Sequence, residues 1–514
     1  MTTITSLNRT TAATTTPVAG GNYTSTSGAT STAGNGSSTV VSLGTGTDDA
    51  SAPKALVWEN RTRSTTATLM ARNFNDNSVA GRLKGLGSEL LKQVAYDGAD
   101  FSQTVQQAPG GVQADTYDML VSPSQVTQHG MGDNQIGLTI TTRSGVKVEF
   151  KLDAGDNSIA IEAHADGELN EVERKALGKL SEAFQKSIDG LTEDPPRIDL
   201  EGLTQFDSNV LSSVDLKGQI KINPKETQLL EFHADSKQRS VSFSGPAGNA
   251  KIGVDLSQPP SWGSKQQQAK ALDNYMQQVD QAGMRGQGNG AMIKMFKDAF
   301  TDMNADYGKP PAAAPLSIFL SDQDHALTTG LADFSASFAQ AEVASNPARV
   351  TEKDTFAYEL SQKTSITGSS QLDRGISQQQ QSHLKAQYHA PVKADARLAL
   401  DLSPNSQNYK YVTINDSASS TTEIGYDKGV LVKASMEMQA NQTSRVLKYT
   451  LGKLQEDHTT PYGKAMKRDL LSTLEPERNG LGPLSDSERE QMLAKLNDQI
   501  LLKSNPDALP NERS

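Results

Sequence analysis

The stretch QIGLTITTRSGVKVEFKL, Gln135 to Leu152, decides the fold class. Its first half alternates apolar and polar residues, RSG supplies a turn, and the second half alternates again. Val146, Val148, Phe150 and Leu152 fall on one face. Alternation on both sides of a short turn is the mark of a β-hairpin, because successive strand side chains point to opposite faces. A third strand follows in SIAIEA, with Ile159 and Ile161 on a common face. The spacing then changes to that of a helix over Glu171 to Asp189, where Leu177, Leu180, Phe184 and Ile188 form an apolar stripe beside Ala176. The unit reads β-β-β-α. Neither the stripe nor the little sheet can bury itself alone, so each is expected to cover the other.

Working outward, a short helix is expected over 203–213. SVDLKGQIKI, TQLLEFHA, RSVSFSG and NAKIGVDLS then read as four strands, with GPAGN as a tight turn between the last two. Their short spacing predicts an antiparallel meander. QPPSWG marks a break. Leu272, Tyr275, Met276 and Val279 form one helical stripe, and Met292, Met295, Phe296, Ala299 and Met303 a second. With the glycine-rich GMRGQGNG between them, they predict a helical hairpin. A boundary is placed between 257 and 315, ending in GKPPAAAP. From 328 to 450 the pattern is mainly β, through DFSASFAQA, TFAYEL, ARLALDL, YKYVTIND, TTEIGYD and GVLVKASMEMQA. The polar segment 362–384, which contains GISQQQQSHL, reads as a loop or weak helix. Helices are expected near 464–474 and 486–502.

Upstream, Leu83, Leu86, Leu90, Leu91 and Val94 predict a helix over 78–96, weakened by Gly81, Gly85 and Gly87. QQAPGGVQADTYDM reads as a linker. The fold class is α+β and multidomain, with antiparallel sheets packed against amphipathic helices behind a disordered N-terminal tail. The expected divisions are a Ser/Thr/Gly-rich tail over 1–55, a partly helical linker region over 56–130 and an α+β domain over 131–257. A helical hairpin or linker over 258–315, a mainly antiparallel β domain over 316–455 and C-terminal helices with a tail over 456–514 complete the scheme.

Residues 1–50 hold 35 Ser, Thr, Gly or Ala residues. Such a segment cannot bury enough apolar surface to offset its ordering entropy. In composition it resembles the polar, unstructured N-termini of flagellar or type III secretion substrates, which implies an uncleaved export segment. The chain has 514 residues, no cysteine and a formal net charge of -11. Disulfides, thiolate metal sites and cysteine nucleophiles are excluded. The absence of cysteine also suits a bacterial protein exported unfolded. No clustered basic stripe points to nucleic acid. No apolar run is long enough for a transmembrane helix, and the first residues lack the basic end and apolar core of a signal peptide.

One pattern occurs twice. DGELNEVER, Asp166 to Arg174, and GPLSDSER, Gly482 to Arg489, share G-x-L-[NS]-x-x-E-R. Both read as capping boxes, Asn170 with Glu173 and Ser485 with Glu488, each with a leucine, Leu169 or Leu484, before the cap. The first also resembles the back half of a calcium loop, with Asp166, Gly167 and Glu173 in place. There, however, Glu162 and His164 would fall at the first and third positions, where shorter oxygen donors belong. The second copy places Glu477, Asn479 and Leu481 at the donor positions. Helix entry is therefore the favoured reading over a metal site or a duplication, and no catalytic, cofactor or metal residue is assigned.

The other chemistry-bearing residues are scattered. His129, His164, His233, His325, His383, His389 and His458 show no metal-binding spacing. Asp322, Asp324 and His325 in SDQDH follow the strand-like LSIFL and read first as a helix start or polar loop. No nucleophile elbow or phosphate loop is present. The expectation is a non-enzymatic exported or cell-surface protein with a structural, adhesive or secretion-associated role. It would work outside the cell by a signal-peptide-independent route, with protein partners and no cofactor, and as a possible homo-oligomer. The alternatives are a cytoplasmic or phage-type scaffold, a carrier holding an apolar ligand on an uncovered face of the 328–450 sheet, and a hydrolase built around Asp322, Asp324 and His325.

Overall fold

The computed structural model describes residues 55–60, 64–98, 100–110, 126, 129–308, 318–393, 395–475 and 484–509. The expected tail and most of the segments QQAPGGVQADTYDM and GKPPAAAP lie outside them.

The Gln135–Leu152 pattern folds as read. β3 (Asn134–Thr142) pairs antiparallel with β4 (Lys147–Ala154), opposing Ile136 to Leu152, Leu138 to Phe150 and Ile140 to Val148. These six side chains are buried on one face. Before them come β1 (Leu56–Trp58), helices α1 (Thr65–Asn73), α2 (Val79–Leu83) and α3 (Leu86–Asp97), and β2 (Phe101–Gln107). The helix expected over 78–96 is thus split in two. Gly85 sits at φ 74, in the left-handed region where glycine carries no side-chain penalty, and it turns the chain between α2 and α3. β5 (Ser158–Ala165) follows β4. The next helix is also divided, into α4 (Glu171–Lys179) and α5 (Ser181–Thr192), but Leu177, Leu180, Phe184 and Ile188 are all buried as the stripe requires.

After the short α6 (Glu201–Thr204), which ends well before the expected 213, the meander runs through β6 (Leu211–Asn223), β7 (Glu226–Asp235), β8 (Gln238–Gly245) and β9 (Gly248–Asp255). The helical hairpin is α7 (Lys265–Gly286) and α8 (Gly290–Asn304). Next come α9 (Asp322–Ala326), β10 (Asp333–Gln340), β11 (Thr355–Thr367), β12 (Gly375–Pro391), β13 (Tyr409–Asp427), β14 (Val430–Thr450) and β15 (Lys453–Asp469). α10 (Leu471–Leu474) and α11 (Asp486–Gln499) close the described chain.

All fifteen strands form one sheet, in the order β1-β2-β5-β4-β3-β6-β7-β8-β9-β10-β11-β12-β13-β14-β15. Every neighbouring pair is antiparallel. β9 pairs with β10 along its whole length, so the sheet runs without a break from 131–257 into 316–455. The helices and the inward side chains of the strands share one apolar core. Gly218 on β6 shows how close the cover lies: a Cβ there would stand 2.3 Å from Leu191 at the end of α5.

Three expectations are corrected. The polar segment 362–384, expected as loop or weak helix, is mostly strand: it is the end of β11 and the first half of β12, and only the connection at 368–374 is a loop with one 3-10 turn. Alternate residues of this stretch, Gln362, Thr364, Gln378 and Gln380, point into the interior and are almost fully buried. They are tolerated because they pair. Tyr275 Oη donates to Gln362 Oε1 at 3.0 Å and to Gln380 Oε1 at 3.2 Å. Gln380 Nε2 donates to the Ile500 carbonyl at 2.9 Å, and Gln380 Oε1 accepts the Leu502 N–H at 3.0 Å. Gln378 Oε1 accepts the Thr329 N–H at 2.7 Å, and Gln362 Nε2 donates to the Leu331 carbonyl at 3.0 Å. The second correction is ARLALDL, which forms no strand despite its alternation. Its Leu398 and Leu400 instead pack on the tyrosine cluster of Tyr409, Tyr411 and Tyr449. The third is the helix near 464–474. Residues up to Asp469 belong to β15, and only the single turn of α10 is helical.

Candidate binding groove

Each strand of an antiparallel sheet presents alternate residues to opposite faces. The helices take one face, and among the described residues the other is left open over β6 to β14 as a groove of about 1030 Å³. Cross-strand register sets its floor. Reading across the sheet, Lys217 stands opposite Glu231, Glu231 opposite Ser242, and Ser242 opposite Lys251. Lys251 stands opposite Ser337, Ser337 opposite Glu359, and Glu359 opposite His383. The row continues through Ser417 to Asn441. A parallel row one step along the strands carries Asp215, His233, Ser240, Gly253, Ser335 and Ser361. Of the phenylalanine, tyrosine and tryptophan side chains among the described residues, Phe232 alone is in the groove's lining, and it is buried on the helix side.

The charges in the groove differ from those beside it. Beyond its edge, on β4 and β5, Glu149 lies within reach of Lys147 and Lys151, and Lys151 stands 3.6 Å from Glu162. In the groove, His233 is flanked by Asp215 at 2.7 Å and Asp235 at 3.5 Å, and His383 Nε2 lies 2.9 Å from Asn415 Oδ1. Lys217, Glu231, Lys251 and Glu359, by contrast, make no ion pair and no side-chain hydrogen bond among the described residues. All four side chains are exposed. Lys217 and Glu231 are direct cross-strand neighbours of opposite sign, yet do not close on one another.

The residues singled out from the sequence lie elsewhere. Asp322, Asp324 and His325 form the start of α9, where Ser321 and Asp324 make a capping box. Asp324 is fully buried, and its Oδ2 accepts from Arg374 Nε at 3.0 Å and Nη2 at 2.8 Å. Tyr426 Oη donates to Oδ1 at 2.9 Å, and the guanidinium lies 3.6 Å from the Tyr426 ring centroid. Burial, with Asp324 beside it, pushes the Tyr426 hydroxyl up to about 12. Burial lowers His325, whose Nδ1 has no hydrogen-bond partner. Asp322 is exposed. The Asp324 carboxylate is committed to Arg374 and Tyr426, so it is not poised toward an open site.

The calcium-like stretch resolves into separate contacts. Glu173 Oε2 accepts the Asn170 N–H at 3.0 Å, closing the capping box, while Oε1 accepts Ser144 Oγ at 2.6 Å. Burial opposes its charge, but these hydrogen bonds outweigh it and hold the carboxyl below its usual value. Asp166 Oδ1 accepts the Lys147 N–H at 2.8 Å, His164 Nδ1 meets Asp100 at 2.9 Å, and Glu162 faces Lys151. Ser485 and Glu488 form the same capping box at α11, but Leu484 is more than a third exposed whereas Leu169 is buried.

The other histidines are dispersed. His389 is the most enclosed, with Asp354 at 2.7 Å from Nδ1 and Glu352 at 3.2 Å from Nε2. The two carboxylates sit on opposite ring nitrogens, so they share no point with the imidazole. No three His, Asp or Glu side chains are grouped to hold a metal ion among the described residues. No described helix is long and apolar enough to cross a membrane.

The groove was missed in the sequence, but a signal was present. In RSVSFSG and DFSASFAQA the outward positions are nearly all serine, Ser240, Ser242, Ser335 and Ser337. A solvated sheet face usually carries longer charged side chains. Comparison with known proteins adds nothing to this reading: no family model, no curated protein and no solved structure matches the chain.

Proposed function

We propose that this chain is a non-enzymatic exported or cell-surface protein that works by holding a hydrophilic partner on the open face of its sheet. The observation that carries the reading is the groove, with four exposed charges left unpaired on a floor of small hydroxyl side chains. A structural sheet face gains by pairing such charges, as β4 and β5 do. A catalytic site needs a base or nucleophile held by a second group. The buried Asp324–Arg374–Tyr426 cluster is closed on itself and serves the packing of α9 against β12 and β13. The apolar-carrier alternative needs an uncovered apolar face, whereas the apolar side of β10 to β14 is in the common core under the protein's own helices.

The export part of the proposal rests on the Ser/Thr/Gly/Ala-rich composition of residues 1–50 and the absence of cysteine. It is tested by fractionating cells that express the full chain and a variant lacking residues 2–50. The intact chain is expected in the medium or on the cell surface, and the shortened one inside. Retention of both inside the cell would sink the export reading.

A further inference from the structure

The row across the groove has a regular beat. Glu231, Lys251 and Glu359 lie on β7, β9 and β11, with Ser242 on β8 and Ser337 on β10 between them, all in direct cross-strand register. From β7 to β11, free charges of alternating sign therefore recur every second strand. Neighbouring strands are about 4.8 Å apart, so the repeat is about 9.5 Å. A partner matching all three charges must carry positive, negative and positive groups at that interval on one of its faces.

An extended β-strand does not meet this requirement. Its same-face residues recur about every 6.7 Å, two residues apart. A polyproline II helix does. It has three residues per turn and rises about 3.1 Å per residue, so every third side chain returns to the same face after about 9.3 Å. Its backbone makes no internal hydrogen bonds, which leaves its carbonyls to accept from hydroxyls. Ser242 and Ser337 between the charges, with Ser240, Ser335 and Ser361 in the next row, supply such hydroxyls on side chains short enough for close approach. The lack of an aromatic platform argues against partners that dock by ring stacking.

We propose that the groove binds an extended polypeptide in the polyproline II conformation, lying across the strands, with a basic-x-x-acidic-x-x-basic pattern facing Glu231, Lys251 and Glu359. This rests on the reading of the chain as a binding protein that uses its open face. Lys217 flanks the triplet beyond Glu231 and disfavours a further basic group at that end, and His383 stands beyond Glu359 at the other.

The test uses the full chain and three synthetic peptides: Lys-Pro-Pro-Glu-Pro-Pro-Lys, the sign-reversed Glu-Pro-Pro-Lys-Pro-Pro-Glu, and the shorter-period Lys-Pro-Glu-Pro-Lys. Affinities are measured by calorimetry at low and moderate salt. The first peptide is expected to bind at least about tenfold more tightly than the other two, and to weaken as salt rises, because these charges are exposed. The triple variant E231K/K251E/E359K should invert the preference between the first two peptides. Near-UV circular dichroism should show that its fold is intact, since all three substitutions fall on exposed positions. Equal binding of the first two peptides, equal binding of the shorter-period peptide, or no binding by any at millimolar concentration would each overturn the proposal. The export reading fails separately: a full chain that stays inside the cell yet keeps the peptide preference removes export and leaves the groove's ligand standing.

Discussion

The two halves of the sheet solve the same burial problem with opposite chemistry. Over β3 to β5 the inward residues include Ile136, Leu138, Phe150, Leu152 and Ile161, and the cover is the apolar faces of α3, with Leu86, Leu90 and Leu91, and of α5, with Phe184, Ile188 and Leu191. Over β11 to β13 the inward set includes Gln362, Gln378, Gln380, Ser420 and Thr422. There the cover includes irregular backbone at 327–332 and 500–504, where the Thr329 N–H and the Leu327, Leu331 and Ile500 carbonyls are met by side chains from the sheet. A buried peptide group left unpaired costs about 1–3 kcal/mol, so irregular cover calls for polar side chains beneath it. The polarity of an inward residue is thus set by what lies over it as much as by its depth.

Substitutions can break or sharpen this contrast. The largest effect is expected on the apolar side, where Phe150→Ala should cost about 3–5 kcal/mol in denaturant unfolding, since it empties a fully enclosed ring site. On the polar side, Gln380→Leu keeps the size but strands the Leu502 N–H and leaves the Ile500 carbonyl with Ser420 Oγ alone. It should cost about 2–3 kcal/mol, whereas Gln381→Leu, one residue on and facing out, should stay within about 0.5 kcal/mol. Similar costs for the two would show that the glutamine network is incidental.

A smaller, pH-dependent effect belongs to Asp302 at the end of α8. Burial raises its carboxyl to about 6, against the Leu200 N–H that donates to Oδ2 at 2.8 Å. The folded state holds this proton more tightly than the unfolded chain does. The resulting stability is therefore fully present below about pH 4 and lost as pH rises through about 6. Asp302→Asn keeps an acceptor for Leu200 and removes the titration. It should flatten the pH 4–7 stability profile relative to the parent and add about 1 kcal/mol at pH 7, after allowance for partial solvent contact. Parallel profiles would remove Asp302 from the account.

The same contrast explains what the sequence disclosed. β3 to β9 were legible because their inward residues are apolar and the two-residue period shows through. GISQQQQSHL was not legible, because glutamine and serine occupy both faces of β12 and the period is silent in hydropathy. ARLALDL erred the other way: Leu398 and Leu400 alternate, but they serve as a plug on Tyr409, Tyr411 and Tyr449 and not as a strand. The capping boxes at Asn170 and Ser485 could be read in full because their logic spans four residues. The groove could not, because its row joins residues as distant as Lys217 and Asn441, and only strand register brings them into line.

Strand order bears on how such a chain could reach its place of work. From β7 onward every strand pairs with the one made just before it, even across the α7–α8 insertion. Only the β2–β5 stretch must wait for later residues. A chain that emerges N-terminus first can therefore add its strands from β7 onward in the order they appear, each new strand meeting a waiting edge. Beyond that stretch no strand waits for a distant partner strand, and the loop-closure entropy of each pairing step stays small.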